Sequence, residues 1–536
     1  MQPVTDPGFT SRRERIEGLT ASAFFLGLTA ALAFQWSSVR LMEIDEFLSY
    51  YTDRVPTLAQ VVWVQLHYPI SLDPPTYHLL SHFAMQLLGP TEMALRLPAF
   101  LGFLLCQVSL FFFVRRLAGP RSAAIALALP LLTYSFFYAI QGRPYGLLLG
   151  LYSASLACWQ AAIRAPAGRS RVLALSGIGA ALVLGVTSHY FGVLILIPVC
   201  AGELVRSLDR RQLDRGVLTA IAAGFVSIAT VLPFQHALLA YRAHYYNTAV
   251  DWHVLPQSYF SLFSFYRGWN HLQQHIFELS ALVLSAVLVA AILLRLRRQA
   301  GRDPAHEWIA LLALALLPVY AYLFGRFVTH TLEPRYVIAT LFAFAASAAI
   351  VLQKALRNTP FFYAVAGLAF AAALVINLGH IRDHRGGKAG TLASFTVSPH
   401  VAAAFHNNSG RIYTQALDNF YIDTSYEPDA TLRSRFCLVY GQKQELDWLD
   451  HDTNYITAVN MQHFAPLCTI SYGEFLAQPD PLVLDYHSNW EWLEKDLTAR
   501  KYPVTMIGGA LRGDLIQLQN RAATDSFPNP RIVAKK

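Results

Sequence analysis

Ser11-Arg12-Arg13-Glu14-Arg15, then the uncharged run 19–39 (LTASAFFLGLTAALAFQWSSV), then Asp45-Glu46, is the stretch that decides the fold. At about 1.5 Å per residue the run is long enough to cross ~30 Å of hydrocarbon as a helix. The arginines before it hold the N-terminus in the cytoplasm by the positive-inside rule, so the acidic pair emerges on the outer face. A carboxylate kept at the rim of so apolar a chain is a candidate general base.

Working outward, the same pattern recurs. Hydrophobic residues make up 54% of the 536 positions and charged ones only 14%, which defines a polytopic α-helical membrane protein. Apolar stretches begin near Leu19, Met93, Ser122, Leu147, Val172, Phe191, Val217, Phe277, Trp308, Val337 and Phe361, which predicts about eleven transmembrane helices. Basic residues collect in alternate loops: Arg115, Arg116 and Arg121, then Arg164, Arg169 and Arg171, then Arg206 to Arg215, then Arg295 to Arg302, then Lys354 and Arg357. The net charge of +8 is therefore a topology signal and implies no nucleic-acid partner. The first span is too long, and too poorly followed by small residues, to be a removed signal peptide, and no lipidation motif is evident. Eleven crossings from an inner N-terminus put everything after about Arg382 outside.

Composition changes at Asp383-His384-Arg385-Gly386-Gly387-Lys388. The chain accordingly divides into a membrane domain, 1–382, with its first outer loop at 40–91, and an extracytoplasmic domain, 383–536. Short apolar runs at 411–414, 436–440, 455–459, 481–485, 504–507 and 515–518, with a helical stretch at 490–501, predict a small α/β layer. Of the five cysteines, Cys106, Cys158 and Cys200 fall in spans, while Cys437 and Cys468 fall in the outer domain, where a disulfide is permitted and unbridged thiols equally so.

The outer loop holds three carboxylates, Asp45, Glu46 and Asp73, and amphipathic pieces at 58–66 and 77–88 that suit the interface plane. Arg143 and Arg335 sit at outer span ends, where a guanidinium can grip a phosphate through a bidentate fork. The ordinary alternative, for these and for Arg326, is mutual neutralisation with the carboxylates. A lone histidine such as His189 is more often a hydrogen-bonded rim group than a catalyst, and with Tyr190 it is a possible substrate contact. Between 235 and 274, Tyr241, Arg242, His244, Tyr245, Tyr246, Asn247, Asp251, Trp252, His253, Tyr266, Arg267 and Trp269 suit sugar faces and equally an interfacial aromatic belt. The three carboxylates offer hard oxygen ligands for Mg²⁺ or Mn²⁺, but no spacing specifies a metal, and the expectation leans towards none.

Asp73-Pro74-Pro75-Thr76-Tyr77-His78-Leu79-Leu80, Gly89-Pro90-Thr91-Glu92-Met93-Ala94-Leu95-Arg96-Leu97-Pro98, Gln141-Gly142-Arg143-Pro144-Tyr145, Ser188-His189-Tyr190-Phe191 and Glu333-Pro334-Arg335-Tyr336 follow one another at outer span ends. In that order they resemble membrane glycosyltransferases of the GT-C class, most of all the bacterial branch related to protein O-mannosyltransferases and aminoarabinose transferases. The resemblance implies a polyprenyl-phosphate-linked sugar donor, a glycan, lipid or protein acceptor, and an inner-membrane site facing outward. It gives Asp45 the role of base with Glu46 beside it; charge and position at the outer span ends give Arg143 and Arg335 the donor phosphate, and Asp73, Tyr145, His189, Tyr190 and Tyr336 are possible substrate contacts. Asp73 departs from the family, which usually carries a histidine before the two prolines. Two other classes remain open: a flippase for a lipid-linked sugar, which predicts midplane polar groups and an internal repeat, and a non-catalytic scaffold.

Overall fold

The computed structural model describes residues 11–242, 244, 250–263, 305–384, 403–404, 409–488, 490–510 and 513–519. The chain folds as two compact units that part between Gly386 and Gly387, with His244 grouped with the second.

In the first unit the uncharged run 19–39 lies within helix α1, Arg12–Val39. Its start is a capping box: Ser11 Oγ accepts from Glu14 N–H, and the Glu14 carboxylate accepts from Ser11 N–H. Among the described residues seven helices are long and apolar enough to cross a membrane, and an eighth if Ala305–Ala315 and Leu317–Thr329, bent by 48°, count as one. The stretches beginning near Ser122 and Val337 form shorter apolar helices, Pro120–Leu132 and Thr340–Val351, and the one near Phe277 lies outside the described residues. Pro130, which has no N–H to donate, and the extended Thr133 end the first of these early. The chain is thus a multi-pass helical membrane protein, and the described residues do not contain the full set of eleven expected spans.

Polar clusters mark the two ends of α1. At its start Glu17 pairs with Arg13 and Arg121. At its end Arg40 meets Glu43 and Glu46. Several of the loop arginines are likewise paired: Arg171 with Asp214 (2.7 Å), Arg206 with Glu203 (2.7 Å), and Arg164 with Glu307.

The loop after α1 folds into three short helices, α2 (Ile44–Asp53), α3 (Leu58–His67) and α4 (Pro75–Leu88). Thr57 caps α3 with Gln60 as the reciprocal partner, and Pro75 opens α4 where a missing N–H costs nothing. Leu58 and Trp63 on α3, and Leu80, Phe83, Leu87 and Leu88 on α4, are exposed, as interface-plane helices require. A buried network ties α2 to α4: Asp53 Oδ1 lies 2.5 Å from His78 Nδ1, Ser81 Oγ donates to Asp53 Oδ2, and His82 Nδ1 lies 2.8 Å from the Asp53 carbonyl oxygen.

Helix α5 (Glu92–Ala118) packs along Tyr145–Arg164 with backbones nearly touching. A Cβ on Gly102 would collide with the Leu147 backbone, and one on Gly150 with the Gly102 carbonyl oxygen. Small residues give apolar helices this approach, and it fixes the loop just before Tyr145 over the end of α1.

The second unit is built on a six-stranded sheet of order β3-β2-β1-β4-β6-β5, with β1 (Ile412–Thr414), β2 (Phe436–Tyr440), β3 (Thr469–Ser471), β4 (Leu482–Asp485), β5 (Val504–Ala510) and β6 (Gly513–Leu518). β1 to β4 run parallel, and β6 pairs antiparallel with both β4 and β5. β1, β2 and β4 read as nearly continuous buried runs, as strands of a parallel sheet covered on both faces do. Tyr413, Val439, Ile470, Trp492, Leu497 and Ile516 share its core.

One expected strand is a helix. Residues 455–459 lie in Thr453–Met461, whose Thr457, Ala458 and Met461 repeat at helical spacing on the buried side, and Glu445 accepts from Tyr455 N–H (2.9 Å) at its start. Packing overrides the strand preference of Tyr, Ile, Thr and Val there, and the strand is β3 instead. The helix expected at 490–501 is confined to Leu493–Ala499. Cys437 and Cys468 form a disulfide, with Cα atoms 4.6 Å apart, that ties β2 to the residue before β3.

Candidate active site

Glu46 is fully buried in the first turn of α2. Its Oε1 accepts from Arg96 Nε (2.8 Å) and from Gly142 N–H (2.6 Å), and its Oε2 meets Arg40 Nη1 (2.8 Å), Arg96 Nη2 (3.1 Å) and Glu43 N–H (3.1 Å). A Cβ at Gly142 would lie 2.6 Å from the Leu95 side chain and 3.1 Å from Glu46 Oε1, so a larger residue there would have to displace Leu95. Burial by itself would raise the Glu46 pKa, but the Arg40 and Arg96 guanidiniums outweigh it and hold the carboxyl at about 2. Glu46 thus clamps α1, α2, α5 and the 141–143 loop together.

Asp73 and Arg143 form a second buried pair. Arg143 Nη2 lies 2.7 Å from Asp73 Oδ2, and Nη1 donates to Ser71 Oγ (2.8 Å), Ser49 Oγ (3.1 Å) and the Asp45 carbonyl oxygen (3.4 Å). Asp73 Oδ1 lies 3.5 Å from His189 Nε2, while His189 Nδ1 accepts from Phe191 N–H (3.2 Å). Burial pushes against ionised Asp73, yet Arg143 above all, then His189, holds its carboxyl below the usual range. Burial, together with Arg143 and Arg335, lowers His189 to about 4 against the pull of Asp73. At neutral pH His189 is therefore a neutral imidazole whose Nε2–H faces Asp73.

Asp45 and Arg335 form the open part of the cluster. Asp45 stands in the first turn of α2 with its side chain 28% exposed, and its Oδ2 lies 3.4 Å from Arg335 Nη2, itself 25% exposed. Arg335 Nε, buried, has no hydrogen-bond partner among the described residues. The chain delivers Arg335 through the Leu317–Thr329 segment, a left-handed His330 (φ 57°) and a short 3₁₀ turn, Pro334–Val337. The guanidinium stands 5.5 Å from the Tyr145 ring centroid and 5.9 Å from that of Tyr336. Tyr145, Tyr336, His189 and Phe191 make a wall of rings with centroids 4.6 to 6.0 Å apart. Tyr190 borders, with Gln65, Ser71 and Asp73, a small half-open pocket.

The structure therefore brings Asp45, Asp73, Arg143, Tyr145, His189, Arg335 and Tyr336 to one place at the loop end of the bundle. Arg326 is elsewhere, donating to the Val250 carbonyl oxygen (3.4 Å). Of the aromatic loop, Asp251, Trp252 and His253 are described and exposed, His244 is partly exposed, and the side chains of Tyr241, Arg242, Tyr245, Tyr246, Asn247, Tyr266, Arg267 and Trp269 lie outside the described residues. Sequence reasoning missed Arg40 and Arg96 as the partners of Glu46. The signal was present, because arginines in apolar surroundings need a carboxylate, and Arg96 stands one helical turn after Glu92 (3.7 Å).

The helical bundle that carries this cluster has the fold of the GT-C class of membrane glycosyltransferases. Residues 73–235 match the family model described as dolichyl-phosphate-mannose-protein mannosyltransferase. The crystal structure of ArnT from Cupriavidus metallidurans bound to undecaprenyl phosphate is similar over 94% of this chain and 98% of its own, with a TM-score of 0.56 at 15% identity. The apo form of the same enzyme is similar over 92% and 97%, with a TM-score of 0.56 at 14% identity. No curated protein sequence matches the chain.

Proposed function

We propose that this protein transfers a sugar from a polyprenyl-phosphate-linked donor to an acceptor on the outer face of a bacterial cytoplasmic membrane. The observation that carries the reading is the Asp45–Arg335 pair: a part-exposed carboxylate 3.4 Å from a part-exposed guanidinium with an unpartnered Nε, backed by Tyr145 and Tyr336. Transfer needs a proton acceptor and a cation for the departing phosphate in the same place, and this pair supplies both. The undecaprenyl phosphate held by the similarly folded ArnT, and the mannosyl-phosphate donor named in the matching family, support the donor class.

In this reading Asp45 takes the proton of the acceptor hydroxyl as its oxygen bonds to the anomeric carbon. The bond from that carbon to the phosphate oxygen breaks, its electron pair leaves with polyprenyl phosphate, and Arg335 stabilises the added negative charge. Attack opposite the leaving group inverts the anomeric configuration. Arg143, committed to Asp73, Ser71 and Ser49, adds positive potential from behind and positions Asp73, while Glu46 positions α2 so that Asp45 faces the donor. Tyr145 and Tyr336 offer ring faces to the sugar. The alternating basic loops support an inner N-terminus and an outer C-terminal unit.

The test is incubation of the purified protein in lipid with polyprenyl-phosphate hexoses and pentoses and a panel of acceptors, reading the product's anomeric configuration by NMR. Inverted product supports the proposal. Retained configuration contradicts the single displacement, and flipping of the donor across the bilayer without any transfer contradicts the enzyme reading.

A further inference from the structure

We propose that Asp485, His487 and Glu494 form a binding site for one divalent transition-metal ion, Zn²⁺ or a close relative, in the second unit. One ligand atom from each lies within 4.8 Å of the others. Atoms so spaced need only a side-chain shift of order 1 Å to reach the ~2.0–2.2 Å bonds of zinc to nitrogen and carboxylate oxygen. Asp485 ends β4, His487 follows two residues later, and Glu494 stands at the start of helix Leu493–Ala499. An ion there would staple the sheet to that helix.

Charge around the site calls independently for a cation. Asp485 is 7% exposed and its neighbour Glu491 6%, and among the described residues no lysine or arginine pairs with Asp485, Glu491 or Glu494. Glu491 accepts from Tyr486 N–H (3.1 Å) and Ser488 N–H (3.0 Å), which shapes the loop, and Asp485 accepts from His487 N–H (3.2 Å). Buried carboxylates crowded without a cation keep protons instead. His487 Nε2 lies 2.9 Å from Asp514 Oδ2, on the β6 residue paired with Asp485, and a carboxylate bonded to one ring nitrogen orients an imidazole whose other nitrogen takes a metal. One imidazole among carboxylates favours Zn²⁺, Mn²⁺ or Co²⁺ over Ca²⁺ or Mg²⁺.

The site is separate from the proposed transferase chemistry, so its test stands apart from that reading. Full-length protein in detergent is stripped with EDTA, desalted, titrated with ZnCl₂ at pH 7.5, and assayed for retained zinc by mass spectrometry and for thermal unfolding by tryptophan fluorescence. The proposal expects one zinc per chain and a raised unfolding temperature. His487→Gln and Glu494→Gln, both at part-exposed positions, should each abolish the retained zinc while unfolding without zinc at the wild-type temperature. No stoichiometric zinc on the wild type, or zinc undiminished in either variant, overturns it.

Discussion

Asp45 and Glu46 are neighbours in sequence with the same functional group, and their surroundings assign them different work. Glu46 is enclosed by two arginines and two backbone donors, so replacing it by Gln removes the buried carboxylate that Arg40 and Arg96 share and leaves them only the partly exposed Glu43 and the more distant Glu92. Breaking a buried pair in this way costs about 3–5 kcal/mol, and Glu46→Gln should unfold correspondingly earlier in a denaturant titration. Because its folded pKa lies below the unfolded value, its contribution is present above about pH 4.5 and is lost as pH falls towards about 2. The variant should therefore lose acid sensitivity in that window. Arg335 is different again. Arg335→Ala should leave stability within about 0.5 kcal/mol of wild type, as for a part-exposed pair, while lowering transfer about 10²–10³-fold. His189, already neutral at neutral pH, should add no inflection near pH 6.5 to the rate profile, and an inflection there removed by His189→Gln would contradict its assignment.

At the scale of elements, the helices α3 and α4 were legible because their apolar residues recur at helical spacing behind a capping box and an N-terminal proline. Helix α2 was not read as a helix, since its polar positions serve Arg143 and His78 rather than solvent, and an inward-facing polar side blurs the periodicity. Residues 455–459 were misread for the reverse reason: β-branched and aromatic types suggested a strand where packing of Thr457, Ala458 and Met461 selects a helix. The contact of α5 with Tyr145–Arg164 is a tight constraint. Gly102→Leu should destabilise the membrane unit and, by shifting the 141–143 loop, lower transfer as well, measured by unfolding temperature and by rate. In the second unit the Cys437–Cys468 bridge closes a 31-residue separation, and its reduction should cost about 3–4 kcal/mol, read as an earlier denaturation midpoint under reducing conditions.

For the whole molecule, composition and loop charge were enough to define a multi-pass membrane protein with a C-terminal α/β region, and the ordered motifs were enough to indicate the GT-C class. The site was legible in part. Asp45, Arg143 and Arg335 stood out because charges are scarce, but which arginine is free and which is committed depends on Ser49, Ser71 and Asp73, brought together only by folding. The central claim is that Asp45 is the base of a sugar transfer supported by Arg335. It is tested most directly by single-turnover transfer from a radiolabelled polyprenyl-phosphate sugar in lipid, comparing wild type with Asp45→Asn at equal donor binding and equal unfolding temperature. The account predicts donor bound as tightly as in wild type and transfer slowed by about 10²–10⁴-fold. Unchanged transfer by Asp45→Asn would contradict it.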